Sequence, residues 1–267
     1  GSFDFNLKEG LAPGFYAIIY KPAPMTRFYY FHLAIDADQG DFEVSCSMSD
    51  VFGTLQFKNN QESSLYYEYR NVVSVLITDY IKMIDYYRYN INEESYQFIT
   101  AKEEQIVIHQ AKFLANHPVG LTADLVRLTP MMAAPRSGDW EKDRMLRWQL
   151  FTQQYLKNWQ PNNALFWSSP MGIDWLDHYV LTLWDEKAGD PSGPVFEAMT
   201  LLKPYAEPFN YYLSYLLQLI PRSSRFDLDQ IYVYLVRKYV EPTDKTLFGE
   251  EEWYRHTNQA NGINRLM

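Results

Sequence analysis

The stretch LQFKNNQESSLYYEYRNVVSVLITDYIKMIDYY, residues 55–87, contains the point at which the chain changes from strands to helices. Residues 54–57 are predicted as a short strand. From Glu62 onward, apolar residues recur every three or four positions, which predicts one long amphipathic helix ending near Tyr87. The apolar positions of this helix are Leu65, Tyr69, Val72, Val73, Leu76, Tyr80, Met83 and Ile84. The fold therefore combines a β region with a helical body.

Four further strands are predicted upstream of this point, at residues 3–7, 15–20, 28–35 and 42–48. They are rich in aromatic and β-branched residues, and short polar turns separate them. We therefore expect an antiparallel meander. A sheet of so few strands is marginally stable alone, so it either packs on the helices or is completed by strands upstream.

The helical body as a whole is predicted to contain about eight helices, separated by prolines and short polar turns. Asn92 is a candidate N-cap with acidic residues in the following turn, and His117-Pro118 ends that helix. Pro118 is the candidate first residue of the next helix. We expect an α+β, mostly helical fold with an antiparallel β domain at residues 1–58 and an all-helical domain at 59–267. No fixed repeat emerges, so a closed bundle and an open array both remain possible.

Composition limits the classes of function. The hydrophobic share of 47% is sufficient for a core, and the net charge is -9 with a pI near 5.1. Basic residues are scattered, with only Arg237 and Lys238 adjacent, whereas phosphate binding depends on clustered Lys and Arg. We therefore predict no nucleic-acid partner. No run of eighteen apolar residues is present.

Cys46 is the only cysteine, which excludes an internal disulfide, a Cys-x-x-Cys redox pair and a thiolate zinc site within this chain. In residues 42–47, Cys46 shares an alternating face with Phe42 and Val44. We therefore predict a small buried apolar side chain, not a reactive thiol.

No familiar catalytic motif occurs. The chain has no Gly-x-Ser-x-Gly, no Gly-rich phosphate loop and no His-Glu-x-x-His, and its five histidines fall on separate predicted elements. The pairs Asp174/His178 and Glu252/His256 could each place two metal ligands on one helix face. We interpret them as exposed helix-stabilising pairs and predict no cofactor or metal.

A candidate ligand or partner surface is the aromatic-rich segment around residues 167–185. Carboxylates among aromatic rings are typical of sugar-binding sites, and two suitably spaced carboxylates could form a glycosidase. The Asp-x-x-Asp spacing is also typical of a solvated helix face. The candidate residues are Trp167, Asp174, Trp175, Asp177, Tyr179 and Trp184, with Asp185 beside them.

Adjacent tyrosines occur at residues 66–67, 86–87 and 211–212. Neighbouring rings on a helix point about 100° apart, so one can lie in the core while the other lines the rim. We favour helix–helix seams over partner-binding surfaces for these pairs.

Several aromatic landmarks recur in an order that resembles a known family, the envelope thiol-disulfide proteins of Gram-negative bacteria. The resemblance is to the amino-terminal half of these proteins, in which a small β domain and a helical domain of unknown function precede a thioredoxin-like domain. The landmarks are Gly14-Phe15-Tyr16, residues 55–62 leading into a helix with Tyr66 and Tyr69, His117-Pro118, residues 209–213 (FNYYL), residues 229–234 (DQIYVY), Lys238-Tyr239 and Glu252-Trp253.

The resemblance implies a role without assigning a catalytic residue to this chain. The redox pair of that family would lie beyond Met267, and an export signal would precede Gly1. The chain would then be a non-catalytic accessory module of a periplasmic or lipid-anchored protein of the cell envelope. It would position the thioredoxin-like domain or recognise its protein client. An aromatic-lined module for glycans is the alternative, and an enzyme using Asp174 and Asp177 is the third class.

Overall fold

A computed structural model describes residues 11–21, 29–47, 50–87, 92–157, 159–182, 192–222, 228–243 and 248–264. Within these ranges the chain forms four short strands and eleven α-helices, so the predicted α+β, mostly helical class is confirmed. The strand predicted at residues 3–7 lies outside the described residues.

The strands form two small antiparallel sheets. Strand β1 (Gly14–Tyr20) pairs with β2 (Tyr29–Ile35), and β3 (Glu43–Ser45) pairs with β4 (Gln56–Lys58). Helix α1 (Val51–Thr54) lies between β3 and β4. The antiparallel pairing was predicted correctly, but within the described residues the strands do not form one meander.

The second edge of β2 is occupied by a helix, which explains why β3 does not pair with it. The N–H of His32 donates to the Tyr67 hydroxyl and the N–H of Ala34 donates to Ser63 Oγ, both at 2.9 Å. These donors would otherwise bind a further strand. Tyr67 and Ser63 lie on the long helix predicted from residue 62. This helix therefore takes the place of a further strand at that edge of the sheet.

The prediction of a buried Cys46 is wrong, because its side chain is exposed. Strand β3 ends at Ser45, one residue earlier, so the alternation that would have buried Cys46 stops before reaching it.

After α1, the described residues contain ten α-helices, whereas about eight were predicted. They are α2 (Gln61–Tyr87), α3 (Glu93–Asn116), α4 (Leu121–Leu128), α5 (Trp140–Gln154), α6 (Ala164–Ser168), α7 (Pro170–Asp177), α8 (Ser192–Leu202), α9 (Ala206–Leu219), α10 (Asp229–Leu235) and α11 (Gly249–Asn264). Helices α7 and α10 continue directly into π-helical segments, His178–Thr182 and Val236–Val240, and α9 continues into a 3₁₀ turn, Ile220–Arg222.

Helix α3 begins with the N-cap expected from the sequence. The Asn92 side chain accepts from the Ser95 N–H and Ser95 Oγ accepts from the Asn92 N–H, each at 2.9 Å. This reciprocal pair satisfies two N–H groups that a helix start leaves unpaired. The prediction that Pro118 begins the next helix is wrong, because α4 begins at Leu121 with Gly120 as its N-cap.

Contacts divide the chain into two compact units. The first comprises Gly1–Arg147 and Asn163–Trp175, and the second comprises Trp148–Asn162 and Leu176–Met267. The division does not follow the domain boundary expected at residue 58. Side chains of the first sheet and of helices α2, α3, α4 and α7 share one apolar core in the first unit. Its buried members are Phe15, Phe31, Leu33, Ala34, Ile35, Tyr66, Tyr67, Tyr69, Val73, Ile106, Phe113, Leu125, Val126 and Met171.

The second unit has its own buried apolar side chains on α8, α9 and α10. Helix α10 packs against α8, α9 and α11, and α11 also packs against the π-helical segment Val236–Val240. Buried residues of α9 and α10 include Tyr212, Leu213, Leu216, Ile231 and Leu235.

The adjacent tyrosines behave differently from pair to pair. Tyr212 is buried while Tyr211 is exposed, as predicted for a core and rim pair. Tyr66 and Tyr67 are both buried, so neither ring of this pair lines a rim. The Tyr67 hydroxyl lies against the edge of β2. The side chains of residues 86 and 87 lie outside the described part of the structure.

Candidate functional site

Two of the aromatic side chains predicted to line a ligand surface lie in the first unit. Trp175 is buried, its indole N–H donates to the Pro130 carbonyl at 2.8 Å, and its ring meets Phe166 edge-on. Trp167 is half-buried and also contacts Phe166 edge-on, with ring centroids 5.1 Å apart. Asp174, which directly precedes Trp175 on α7, is exposed. These contacts support the packing of α6 and α7.

Two other predicted surface residues lie in the second unit. Asp177 accepts hydrogen bonds from the hydroxyls of Tyr212 and Tyr215. Tyr179 is buried, and its hydroxyl donates to Glu197 Oε2. Trp184 and Asp185 lie outside the described residues. Of the six predicted residues, the structure therefore gives Trp175 and Tyr179 core positions, and their use as a ligand surface stays a prediction.

The interpretation of the two carboxylate–histidine pairs as exposed is wrong, because His178 and His256 are buried. Each imidazole Nδ1 lies within hydrogen-bond distance of a tyrosine hydroxyl, Tyr155 at 3.1 Å and Tyr232 at 2.8 Å. Burial lowers the pKa of His256 and so favours its neutral form. Among the described residues, no group of three or more His, Cys, Asp or Glu side chains is placed to hold a metal ion.

A groove of about 540 Å³ opens on the second unit. Its size lies in the range of small-ligand sites. Four short parts of the chain meet there: the end of α8, the start of α9, the π-helical segment after α10 and the turn that follows it. The lining residues are Lys203, Phe209, Asn210, Lys238, Tyr239, Pro242 and Thr243. We call this the Lys203–Lys238 groove.

The π-helical segment shapes one wall of the groove. The Glu241 N–H donates to the Val236 carbonyl at 2.9 Å, a hydrogen bond five residues long, and Pro242 follows. Such wide turns within helices occur frequently at functional sites. Lys238 and Tyr239 lie in the middle of this segment.

Aromatic rings surround the ammonium group of Lys238. Its Nζ lies 3.8 Å from the ring centroid of Phe196, 5.1 Å from that of Tyr234 and 5.6 Å from that of Tyr239. It also donates a hydrogen bond of 2.7 Å to the Tyr234 hydroxyl. A cation held over ring faces is attracted by their negative quadrupole. Lys238 is thereby fixed in place while its side chain remains exposed.

Phe209 and Tyr239 supply the aromatic part of the lining. Their rings meet edge-on with centroids 5.3 Å apart, and both are half-buried. Burial, reinforced by Tyr234, raises the pKa of Tyr239, so its hydroxyl is protonated at neutral pH. The groove thus offers partly exposed rings, two ammonium groups and the Asn210 amide.

Compared with known proteins, the chain matches no family model, no curated protein and no solved structure. The resemblance to envelope thiol-disulfide proteins therefore stays a prediction. Within the described ranges, no helix combines the length and the apolar character needed to cross a membrane.

Sequence reasoning did not identify the groove because its residues are separated by up to forty positions and come from different elements. Phe209, Lys238 and Tyr239 nevertheless stood among the landmarks of the family resemblance. The sequence therefore marked three residues of the groove, but only the fold brings them together.

Proposed function

We propose that this chain is a non-catalytic recognition module that binds a small ligand in the Lys203–Lys238 groove. The observation that carries the proposal is the combination, in one groove of ligand size, of partly exposed aromatic rings with two lysines. Stable protein–protein interfaces bury about 800 Å² of surface on each partner. A groove with so few lining residues offers less surface than that, which favours a small ligand over a protein client.

A saccharide fits the chemistry of the lining. Sugar rings present C–H faces that can pack on Phe209 and Tyr239, and hydroxyls that can bond the Asn210 amide. This is the class of ligand that the aromatic content of the sequence suggested, at a different set of residues. None of the lining residues that the structure describes is a carboxylate or a histidine, which favours binding over glycoside hydrolysis.

Calorimetry with a panel of short neutral and charged saccharides tests the proposal. We expect at least one to bind, and Phe209→Ala to weaken it about tenfold, equivalent to about 1.4 kcal/mol, because the substitution removes a packing face. Tyr211→Ala is the matched control, since Tyr211 lies on the same helix, is exposed and does not line the groove. Silence across the panel, or equal loss in both variants, would contradict the proposal.

The family resemblance supports a second, broader proposal about the parent protein. We propose that the chain is the accessory part of a cell-envelope thiol-disulfide protein and that the groove brings a ligand or part of a client near its redox domain. The gene sequence downstream of codon 267 tests this directly. A Cys-x-x-Cys in a strand–helix context would support it, and a stop codon immediately after Met267 would count heavily against it.

A further inference from the structure

We infer that the ligand of the Lys203–Lys238 groove is an acidic saccharide whose carboxylates bind Lys203 and Lys238. This inference rests on the proposed function, which requires only that a saccharide binds. It adds that the negative charge of the ligand decides the affinity.

The first observation is that the two groove lysines have no carboxylate partner in the part of the chain that the structure describes. Both lysines are exposed, and among the described residues neither forms an ion pair. Elsewhere basic side chains do find partners: Arg237, one residue before Lys238, pairs with Glu241, and Arg255 pairs with Glu252. In a chain of net charge -9, two lysines lining one groove without a carboxylate mark a local site for an anion.

The second observation is that Lys238 is positioned before any ligand arrives. The rings of Phe196, Tyr234 and Tyr239 hold its ammonium group, and one N–H bonds the Tyr234 hydroxyl. An ammonium group has three N–H donors. The hydroxyls of Tyr234 and Tyr239 engage two of them, so one remains for a ligand. The rings stabilise the charge without neutralising it. A side chain fixed in this way loses little conformational freedom when it binds an anion.

The two observations together specify the chemistry of the ligand. Carboxylates accept charge-assisted hydrogen bonds from ammonium groups, and these are about twice as strong as bonds between neutral groups. The rings of Phe209 and Tyr239 line the same groove and offer packing faces to the rest of the ligand. A short chain of uronic-acid residues carries both features, a carboxylate on each ring and apolar C–H faces.

Trigalacturonate and its methyl ester provide a matched pair of probes, because esterification removes the charge and keeps the sugar skeleton. We expect the acid to bind the intact chain at least tenfold more tightly than the ester. Lys238→Met and Lys203→Met should each weaken binding of the acid about tenfold and leave the ester unchanged. Lys157→Met, an exposed lysine of the same unit outside the groove lining, should change neither.

The outcomes separate the inference from the proposed function. Equal binding of acid and ester, or binding of neither, overturns the inference, whereas only silence across the whole saccharide panel overturns the proposed function. Equal binding of a glutamate hexapeptide, lost in the same lysine variants, overturns the assignment to a saccharide. If Lys238→Met does not fold, as judged by circular dichroism, Lys203→Met and the acid–ester comparison decide the question.

Discussion

The environment of His32 connects the stability of the first unit to pH. His32 lies in β2, where its ring meets Tyr30 edge-on at 5.4 Å. Burial, assisted by the nearby Arg70 guanidinium, lowers the pKa of His32 from 6.5 to about 4. Both causes disfavour the imidazolium form, so the folded chain binds a proton at this site less readily than the unfolded chain does.

We predict that the free energy of unfolding falls as the pH decreases from about 6.5 to about 4, because the unfolded chain takes up the His32 proton first. Above about pH 6.5 this contribution is fully present. One pKa unit corresponds to about 1.4 kcal/mol, and partial exposure reduces the total effect to about 1–2 kcal/mol. Urea unfolding of the wild type and of His32→Asn at about pH 7 and about pH 4.5 measures it.

The variant should lose less stability on acidification than the wild type. Arg70→Met is an internal control: it removes only the weaker cause, so the pKa of His32 should rise part of the way towards 6.5 in an NMR titration. Identical pH dependence in the wild type and His32→Asn would contradict the assignment.

At the scale of elements, α4 receives its N-terminal cap from another helix. Gly120, its N-cap residue, has a φ of 112° and no side chain to accept a hydrogen bond. Glu62, at the start of α2, supplies the acceptor: the Thr122 N–H donates to its Oε2 at 2.9 Å. The carboxylate also lies at the positive end of the α4 dipole.

Glu62→Ala should therefore destabilise the first unit by about 1 kcal/mol, the usual cost of losing an N-cap. Glu68→Ala is the control, because Glu68 lies on the same helix and is exposed. Chemical denaturation of both variants measures the difference. If the two substitutions lower the free energy of unfolding by the same amount, the Glu62 cap contributes nothing measurable to stability.

Helices α3 and α5 are joined by a buried ion pair between Glu103 and Arg147. Glu103 is fully buried, and Arg147 Nε lies 3.2 and 3.1 Å from its two carboxylate oxygens. Charges removed from water are costly unless they are paired, so loss of one partner costs more than the pair contributes.

We predict that Arg147→Met destabilises the first unit by about 3 kcal/mol, because it leaves a buried carboxylate alone. The double variant Glu103→Leu with Arg147→Met should recover part of that loss. The exposed pair Arg136–Glu104, one residue along α3, is the matched control, and its removal should cost less than about 1 kcal/mol. Equal costs for the buried and exposed pairs, measured by urea unfolding, would refute this prediction.

These elements also show what one sequence can and cannot predict. The start of α3 was predictable because Asn92 and Ser95 are three residues apart and bond each other. The cap of α4 was not, since Glu62 lies sixty positions from Thr122 and local patterns carry no information about that pairing. The covering of the second edge of β2 by α2 was also not predictable, because Ser63 and Tyr67 are distant in sequence from the residues they bond.

At the scale of the whole molecule, the aromatic residues of the predicted surface and those of the groove lie in different surroundings. The segment around residues 167–184 is rich in rings, but Trp175 and Tyr179 are buried and support packing. The groove instead collects Phe209 and Tyr239 from two elements and places two lysines beside them. Burial depends on tertiary packing, which composition within one window does not contain.

Backbone amide chemical shifts of the intact chain, recorded with and without trigalacturonate, locate the binding site most directly. We predict that the largest changes fall at residues 203–210 and 234–243, which contain the lining of the groove. Changes concentrated at residues 166–180, or no changes at all, would contradict the assignment of ligand recognition to the Lys203–Lys238 groove.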